Sequence, residues 1–468
     1  MIEQPRDDTK STGPPGEADT DDSVGLTDDI IYAVERALEE ERFADAKDLA
    51  ITLHSADLAD LLQTLGRDQR VLLLNTIGPD LDPEVLAYLD PPVREDVIER
   101  IAPRALAQAL SKLDSDDALE VLEDLDEEQK QRILAALPAT ERFILEEGLA
   151  YPEESAGRIM QREVVAIPSA WSVGQTIDYM RAATNLPQDF YDIYVVGPDH
   201  RPLGYIPVSR VLRTRRPVRV AEILETELRT VPVTMDQEEV AYLFRQYGLV
   251  SAPVVDESGR LVGVITVDDA VEVIEEEAEE DLMRLSGLAE TDLYSATLDT
   301  SKARVPWLAV NLVTAIIASL VIGLFEGTIQ QVVALAVLMP IVASMGGNGG
   351  TQTLTVAVRA LATKDLTGAN APRFVGQEVM VGLVNGVVFA ILVGLVAWIW
   401  FHSPEIGLVL AAAMIINMIV AGLSGTLIPI GLEKLGIDPA VASSVFLTTI
   451  TDVVGFFAFL GLAALFLL

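Results

Sequence analysis

The sequence predicts a multidomain membrane protein in which α-helical and α/β cytoplasmic domains precede a five-span α-helical transmembrane domain. Three observations carry that prediction. The chain has 468 residues, more than one ordinary core accommodates. Its net charge of −38 is concentrated in residues 1–300, which hold 27 Lys/Arg against 64 Asp/Glu, a net −37. From Ser301 onward only six Lys/Arg and seven Asp/Glu are scattered among long apolar runs.

Residues 1–25, "MIEQPRDDTKSTGPPGEADTDDSVG", are polar, acidic and Pro/Gly-containing, and read as a disordered acidic tail rather than a signal peptide. Residues 26–150 contain an internal repeat. Leu62, Leu74, Leu86, Ile98, Leu110, Leu122 and Leu134 recur every 12 residues, as do Leu65, Ile77, Leu89, Ile101, Leu113, Leu125 and Leu137. A turn or capping type follows each second apolar residue (Gly66, Gly78, Asp90, Ala102, Asp114, Asp126, Pro138). Short helices ending in turns, stacked in pairs, predict a 24-residue solenoid-like domain. Residues 151–270 change character. "FYDIYVVGPDHRPLGYIPVSRVL" and "VSAPVVDESGRLVGVITVDDAVEVI" share the order strand, turn, strand, helix, with Asp/Gly hairpin chemistry in the turns.

Residues 271–302 form an acidic connecting segment. Asp268, Glu272, Glu275 and Glu279 share one helical face, with Asp269, Glu276 and Glu280 beside it. Like charges four residues apart destabilise a helix by about 0.2–0.5 kcal/mol each, so the cluster suits neutralisation by cations. The acidic balance argues for cationic partners and against nucleic acid. The absence of cysteine excludes thiolate metal sites and disulfides.

Residues 303–468 hold five runs of the length a spanning helix needs: 304–325, 330–358, 375–400, 407–430 and 440–467. With a cytoplasmic N-terminus, all six Lys/Arg of this part fall on inside loops, so the C-terminus is expected outside. Trp307, Trp398 and Trp400 fall near span ends, as interfacial aromatics do. Inside the second run stands "SMGGNGGTQT" (344–353). Gly346, Gly347, Gly349 and Gly350 make unwinding cheap, while Asn348, Thr351 and Gln352 supply oxygens, so this run is expected to be a broken helix lining an aqueous path. The competing reading is a close-packing glycine patch. In the fifth run Asp452 is the acid placed well inside a span, with Thr448, Thr449 and Thr451 around it. An intramembrane carboxylate is a functional hypothesis by default. One per chain is few for a divalent cation, and a symmetric dimer would supply two.

These residues together resemble one family. "GRLVGVITVDDA" is similar to the end of a CBS domain, so 151–270 resembles a tandem CBS pair. The acidic helical domain, "YPEESAGRIM" (151–160), the CBS pair, the acidic helix, "GGNGGTQT" with "RALATKDL" (359–366), and "GIDPA" (436–440) before "TTITDVVG" (448–455) resemble the MgtE family of bacterial magnesium channels. The resemblance implies a homodimeric Mg2+ channel in the inner membrane, with a "plug" connecting helix and closure by cytoplasmic Mg2+. Asp452 matches the pore carboxylate, and Asp438 a position near the cytoplasmic mouth. Gly346, Gly347, Asn348, Gly349, Gly350, Thr351, Thr448 and Thr451 are then expected to line the path. The regulatory Mg2+ sites carry over to Asp116 and Asp117 in "SDDA" and to Asp268, Asp269, Glu272, Glu275, Glu276, Glu279 and Glu280. ATP is a further implied ligand. Thr266 and Asp269 match its binding positions, whereas the first copy, "GYIPVSR", lacks both.

Two other readings compete. A coupled carrier of Mg2+ or other divalent cations, exchanging the ion for Na+ or H+, would use the same residues. A non-transporting CBS-type sensor would need neither Asp452 nor the glycine motif. No enzyme site is expected: His54, His200 and His402 are far apart without zinc spacing, and "GLSGT" (422–426) lacks the strand–elbow–helix context of a nucleophile and reads as packing.

Overall fold

The computed structural model describes residues 25–183, 186–187, 189–288, 297–441 and 443–468. The expected tail lies outside the described residues except for Gly25. The chain divides into two compact units between Leu149 and Ala150.

The first unit is helical: α1 (Asp28–Glu39), α2 (Phe43–Ala50), α3 (Ser55–Thr64), α4 (Arg67–Ile77), α5 (Pro91–Ile98), α6 (Pro103–Leu110), α7 (Ser115–Glu123), α8 (Glu127–Ala136) and α9 (Ala139–Leu149), with 3-10 turns at Gly78–Asp80 and Pro83–Leu86. The 12-residue apolar repeat is its core, since Leu62, Leu65, Ile77, Leu86, Leu89, Ile98, Leu110, Leu122, Leu125, Leu134 and Leu137 are all buried. The predicted breakers act at helix ends. Gly78 takes a left-handed φ of 58° after α4, and the Asp126 carboxylate accepts from the Gln129 N–H (2.7 Å) to start α8. Arg70 and Arg94, one 24-residue period apart, are both buried and repeat one role. Arg70 donates to the carbonyls of Leu62 (2.6 Å) and Leu65 (3.2 Å), and Arg94 to those of Leu89 (2.9 Å) and Ala87 (3.1 Å). Each thereby satisfies the open carbonyls that a helix or turn leaves at its end.

The second unit begins with two copies of one module. The first has β1 (Ala166–Pro168), α10 (Val173–Ala182), β2 (Asp192–Val196), β3 (Pro202–Pro207), α11 (Val208–Arg213) and α12 (Val220–Ile223). The second has β4 (Val231–Pro232), α13 (Gln237–Tyr247), β5 (Ser251–Val255), β6 (Leu261–Thr266) and the long α14 (Val267–Ser286). Each sheet runs in sequence order, a parallel pair followed by an antiparallel hairpin, with Tyr194 opposite Tyr205 and Val254 opposite Gly263. The hairpin turns need one left-handed residue; His200 (φ 63°) supplies it in the first copy and Gly259 (φ 76°) in the second.

The apolar third forms α15 (Thr297–Gly323), α16 (Glu326–Gln331), α17 (Ala334–Ala362), α18 (Ala371–Phe401), α19 (Pro404–Lys434) and α20 (Ser443–Phe466). Among the described residues, four helices are long and apolar enough to cross a membrane, within α15, α18, α19 and α20. The run expected as the second span is α17, equally long but diluted by its Gly, Asn, Thr and Gln residues.

The expected break in α17 is overturned. The helix continues through Gly346, Gly347, Asn348, Gly349, Gly350 and Thr351 without interruption. The glycines serve close approach instead. A Cβ at Gly346 would stand 2.1 Å from Asn417 Nδ2, one at Gly349 2.8 Å from Met418 Cε, and one at Gly350 2.7 Å from Leu447 Cδ1. Gly425, in the "GLSGT" stretch, packs likewise, with a Cβ there 2.8 Å from the Gly350 carbonyl oxygen. Small residues at these crossings let α19 and α20 lie directly on α17, and an unbroken helix keeps its backbone hydrogen bonds, which unwinding in an apolar surrounding would forfeit.

Candidate metal site and its cytosolic contact

Asp452 stands in α20, about 13 Å along the helix from Ser443 at 1.5 Å per residue. It is half-buried, and among the described residues none hydrogen-bonds or ion-pairs with it. Thr448, one turn earlier, is exposed on the same face and meets α17: its methyl lies 3.6 Å from where a Cβ of Gly347 would be. Asn348 and Thr351 are exposed on α17 near this contact. Thr351 donates to the Gly347 carbonyl (2.9 Å) and Thr448 to the Ser444 carbonyl, leaving each hydroxyl oxygen free to accept.

The other expected lining positions point elsewhere. Thr451 is fully buried and donates to the carbonyls of Leu447 and Thr448 (3.1 Å each). Gly346 and Gly350 are buried in helix crossings, and Gly349 faces Met418 of α19. Lining by Gly346, Gly350 and Thr451 is therefore replaced by packing, because their faces of α17 and α20 meet other helices. Asn417 escaped the sequence reading. It is fully buried in α19 and donates from Nδ2 to the Val342 carbonyl (2.8 Å). It wedges between Gly346 and Gly455, whose added Cβ atoms would stand 2.1 and 2.8 Å from its Nδ2. A polar residue amid an apolar run opposite two glycines was the available signal.

The second contact, between the strand-containing module and the apolar helices, is built on α14. Its N-terminus is a capping box in which the Thr266 N–H (2.9 Å) and hydroxyl (2.8 Å) donate to Asp269 Oδ2, and the same hydroxyl also donates to Asp268. Glu272, Glu275, Glu276 and Glu279 are exposed. The inward stripe runs Ala270, Val273, Glu277, Glu280, Arg284, spaced by three or four, and it carries the acids in contact. Glu277 accepts from Gln237 Nε2 (2.8 Å), while Arg284 pairs with Glu280 and, across to the segment between α19 and α20, with Asp438 (2.6 Å). Beyond it Leu285 packs among Leu354, Val358, Ala440 and Leu447, and Gly287 lies under Trp307. Lys364, following α17, reaches back to Glu239 of α13 (2.8 Å).

Crowding disturbs this corner. Glu238 keeps an exposed edge, yet desolvation, reinforced by Glu277, Asp236, Asp281 and Asp438, pushes its carboxyl up to about 7. Asp281 is pushed up to about 6, first by burial and then by Asp438 and Glu277. Glu277 and Glu280 are also raised, chiefly by burial. Glu238, Glu277 and Asp281 were not among the expected site residues. Extending the buried spacing of Ala270 and Val273 along α14 would have found two of them. Among the described residues no three His, Asp or Glu side chains assemble as a metal-ligand group. Asp116 and Asp117 occupy the first turn of α7, where acids complement the helix dipole.

Between the two modules lies a cleft of about 890 Å3 walled by Tyr191, Tyr205, Tyr247 and Arg229, with Asp192, Tyr194 and Ser251 at its side. Ser251 links two of them, donating to Asp192 (2.8 Å) and meeting the Tyr194 hydroxyl at 2.6 Å. The Arg229 guanidinium lies 3.4 Å from the Tyr247 ring centre. Thr266 lines an adjoining crevice, and Asp269 is engaged in the helix cap.

Residues 339–462 match the family model of MgtE divalent cation transporters, 53–154 that of the MgtE intracellular N domain, and 220–276 that of the CBS domain. The chain is 34% identical over 323 residues to the magnesium transporter MgtE of Enterococcus faecalis, covering 69% of this chain and 71% of that one. It is 36% identical over 341 residues to the magnesium transporter MgtE of Thermus thermophilus, covering 72% and 75%. The solved cytosolic domain of the Mg2+ channel MgtE in complex with ATP is similar at 31% identity and a TM-score of 0.48, over 52% of this chain and 99% of that one.

Proposed function

The chain belongs to the MgtE family of divalent cation transporters, and from that premise we propose that it passes Mg2+ across the membrane along the face that α17 and α20 present together. The observation that carries this reading is Asp452, a half-buried carboxylate inside an apolar helix with no protein partner among the described residues. Mg2+ sheds water reluctantly and prefers octahedral oxygen coordination at about 2.0–2.1 Å. One carboxylate is thin for a dication, and a homodimer with α20 beside the two-fold axis supplies two. With α17 unbroken, its carbonyls are committed to helix hydrogen bonds. Side-chain oxygens of Asn348, Thr351 and Thr448 then take over the role first expected of the backbone, gripping the ion through its waters.

In this reading the N-terminus is cytoplasmic, the membrane is the cell's inner membrane and the C-terminus lies outside. Cytoplasmic Mg2+ closes the path: it neutralises the carboxylates of α14 and α13 and steadies Leu285 and Arg284 against the ends of α17, α19 and α20. Ions that bind the closed form better supply the energy of closure. The aromatic cleft between the modules suits an adenine nucleotide, with Tyr247 or Tyr191 for the base. Passage is channel-like, which single-channel currents would distinguish from coupled exchange. The central test is Mg2+ entry into liposomes loaded with a Mg2+ indicator. Asp452→Ala is expected to abolish entry while cross-linking still gives the dimer. Normal entry by that variant overturns the proposal.

A further inference from the structure

A second polar site lies on the opposite flank of α17. Gln352 and Thr353 of α17, Glu378 and Asn385 of α18, and Gly422 of α19 line a cleft of about 140 Å3. Glu378 sits about 10 Å into α18, and Asn385 stands two turns further on the same face. Thr353, 7% exposed, donates to Glu378 Oε2 (2.9 Å). The floor is rigid because the backbones of α18 and α19 touch. A Cβ at Gly422 would lie 2.7 Å from the Glu378 carbonyl oxygen, and one at Gly382 2.5 Å from that of Met418. Nothing in the path along α17 and α20 uses these residues.

A carboxylate within a membrane-spanning helix is costly unless something compensates its charge. No Lys or Arg lines the cleft among the described residues. What it offers is one negative charge and a set of neutral oxygens: two side-chain amides and a hydroxyl. That set balances a single positive charge. A divalent ion there would leave one positive charge uncompensated by the lining, which is expensive in a low-dielectric surrounding. We propose that the Glu378 cleft binds one partly dehydrated alkali cation, Na+ being the physiological candidate, separately from Asp452. The two sites share α17, whose Gly347 meets Thr448 while its Thr353 holds Glu378. Occupancy of the cleft therefore bears on how α17 sits against α20. The cleft's occupant does not depend on the Mg2+ path being as proposed above.

The test is 22Na+ binding by scintillation proximity on the full-length protein in detergent. Excess Mg2+ saturates the acidic cytosolic domains, and N-methylglucamine holds ionic strength constant. Wild type and Asp452→Asn are expected to show the same saturable Na+ component, which Glu378→Gln loses. Asn385→Leu keeps the carboxylate and serves if Glu378→Gln does not fold; it is expected to bind about tenfold more weakly. Absence of a saturable component in wild type, its survival in Glu378→Gln, or its one-for-one displacement by further Mg2+ each overturns the site. Failure of the transport reading shows instead as normal Mg2+ entry by Asp452→Ala, whatever the Na+ counts.

Discussion

Two helices of this chain handle negative charge in opposite ways. In α14 carboxylates are crowded, six Glu and three Asp in 20 residues, and the inward ones press against Glu238, Asp236 and Asp438. In α20 there is one, Asp452, set among threonines and apolar residues. The crowded helix responds to bulk quantities, because many weak repulsions add and are screened together by salt, protons or divalent ions. The isolated carboxylate responds to a single ion at a single place. Regulation suits the first arrangement and selection of the transported ion the second.

That contrast can be broken by experiment, beginning where one group should matter most. Asp452→Asn, which keeps the shape and removes the charge, should slow Mg2+ entry on the order of 100-fold, equivalent to about 2.7 kcal/mol. Neutralising exposed Glu275 or Glu279 singly should leave the entry rate within about twofold, as vesicle flux would reveal. Next comes Gly346→Ala, whose methyl would overlap Asn417. It should destabilise the membrane unit by about 1–3 kcal/mol, read as a lower melting temperature in detergent. Asn417→Ala in the same chain should recover part of the loss.

Smaller effects belong to α14. Arg284→Glu puts a third carboxylate between Glu280 and Asp438 and should release the end of α14, seen as faster amide exchange over 277–286. The partly exposed pair it removes accounts for only about 1 kcal/mol. The smallest and most graded effect is that of pH. The docked form holds Glu238 and Asp281 at about 7 and about 6, above their ordinary values of 4.5 and 3.8. It therefore binds more protons than the undocked form. Docking of α14 should be fully favoured below about pH 4 and weaken as pH rises towards 7, and Mg2+ should restore it at neutral pH. Glu238→Gln should flatten that dependence; an unchanged exchange profile would break the comparison.

Much of the architecture was legible. The 12-residue repeat predicted the core of the first unit because every period places two leucine-type residues at the same depth, and the second module announced itself by "GRLVGVITVDD". The apolar runs predicted the long helices of the last third. What failed had a common cause. Glycines at 346–350 are compatible with unwinding or with close packing, and the choice lies with Asn417, Met418 and Leu447, some 70 to 100 residues away. Counting along α14 found faces rich in acid but not which face was covered, so it favoured Glu275 and Glu279, now exposed, over Glu277 and Asp281. Glu378 could not be singled out from the sequence, since its hydroxyl partner, Thr353, belongs to another helix.

The guanidinium of Arg284, held between Glu280 and Asp438, has a consequence for any metal that acts there. The carboxylates already own a cation, one that is covalently attached and so present at an effective concentration in the millimolar range or above. A dissolved ion must outcompete this resident, which sets a floor under the level at which it can take over. Such a contact ignores trace metal and answers only to an abundant one.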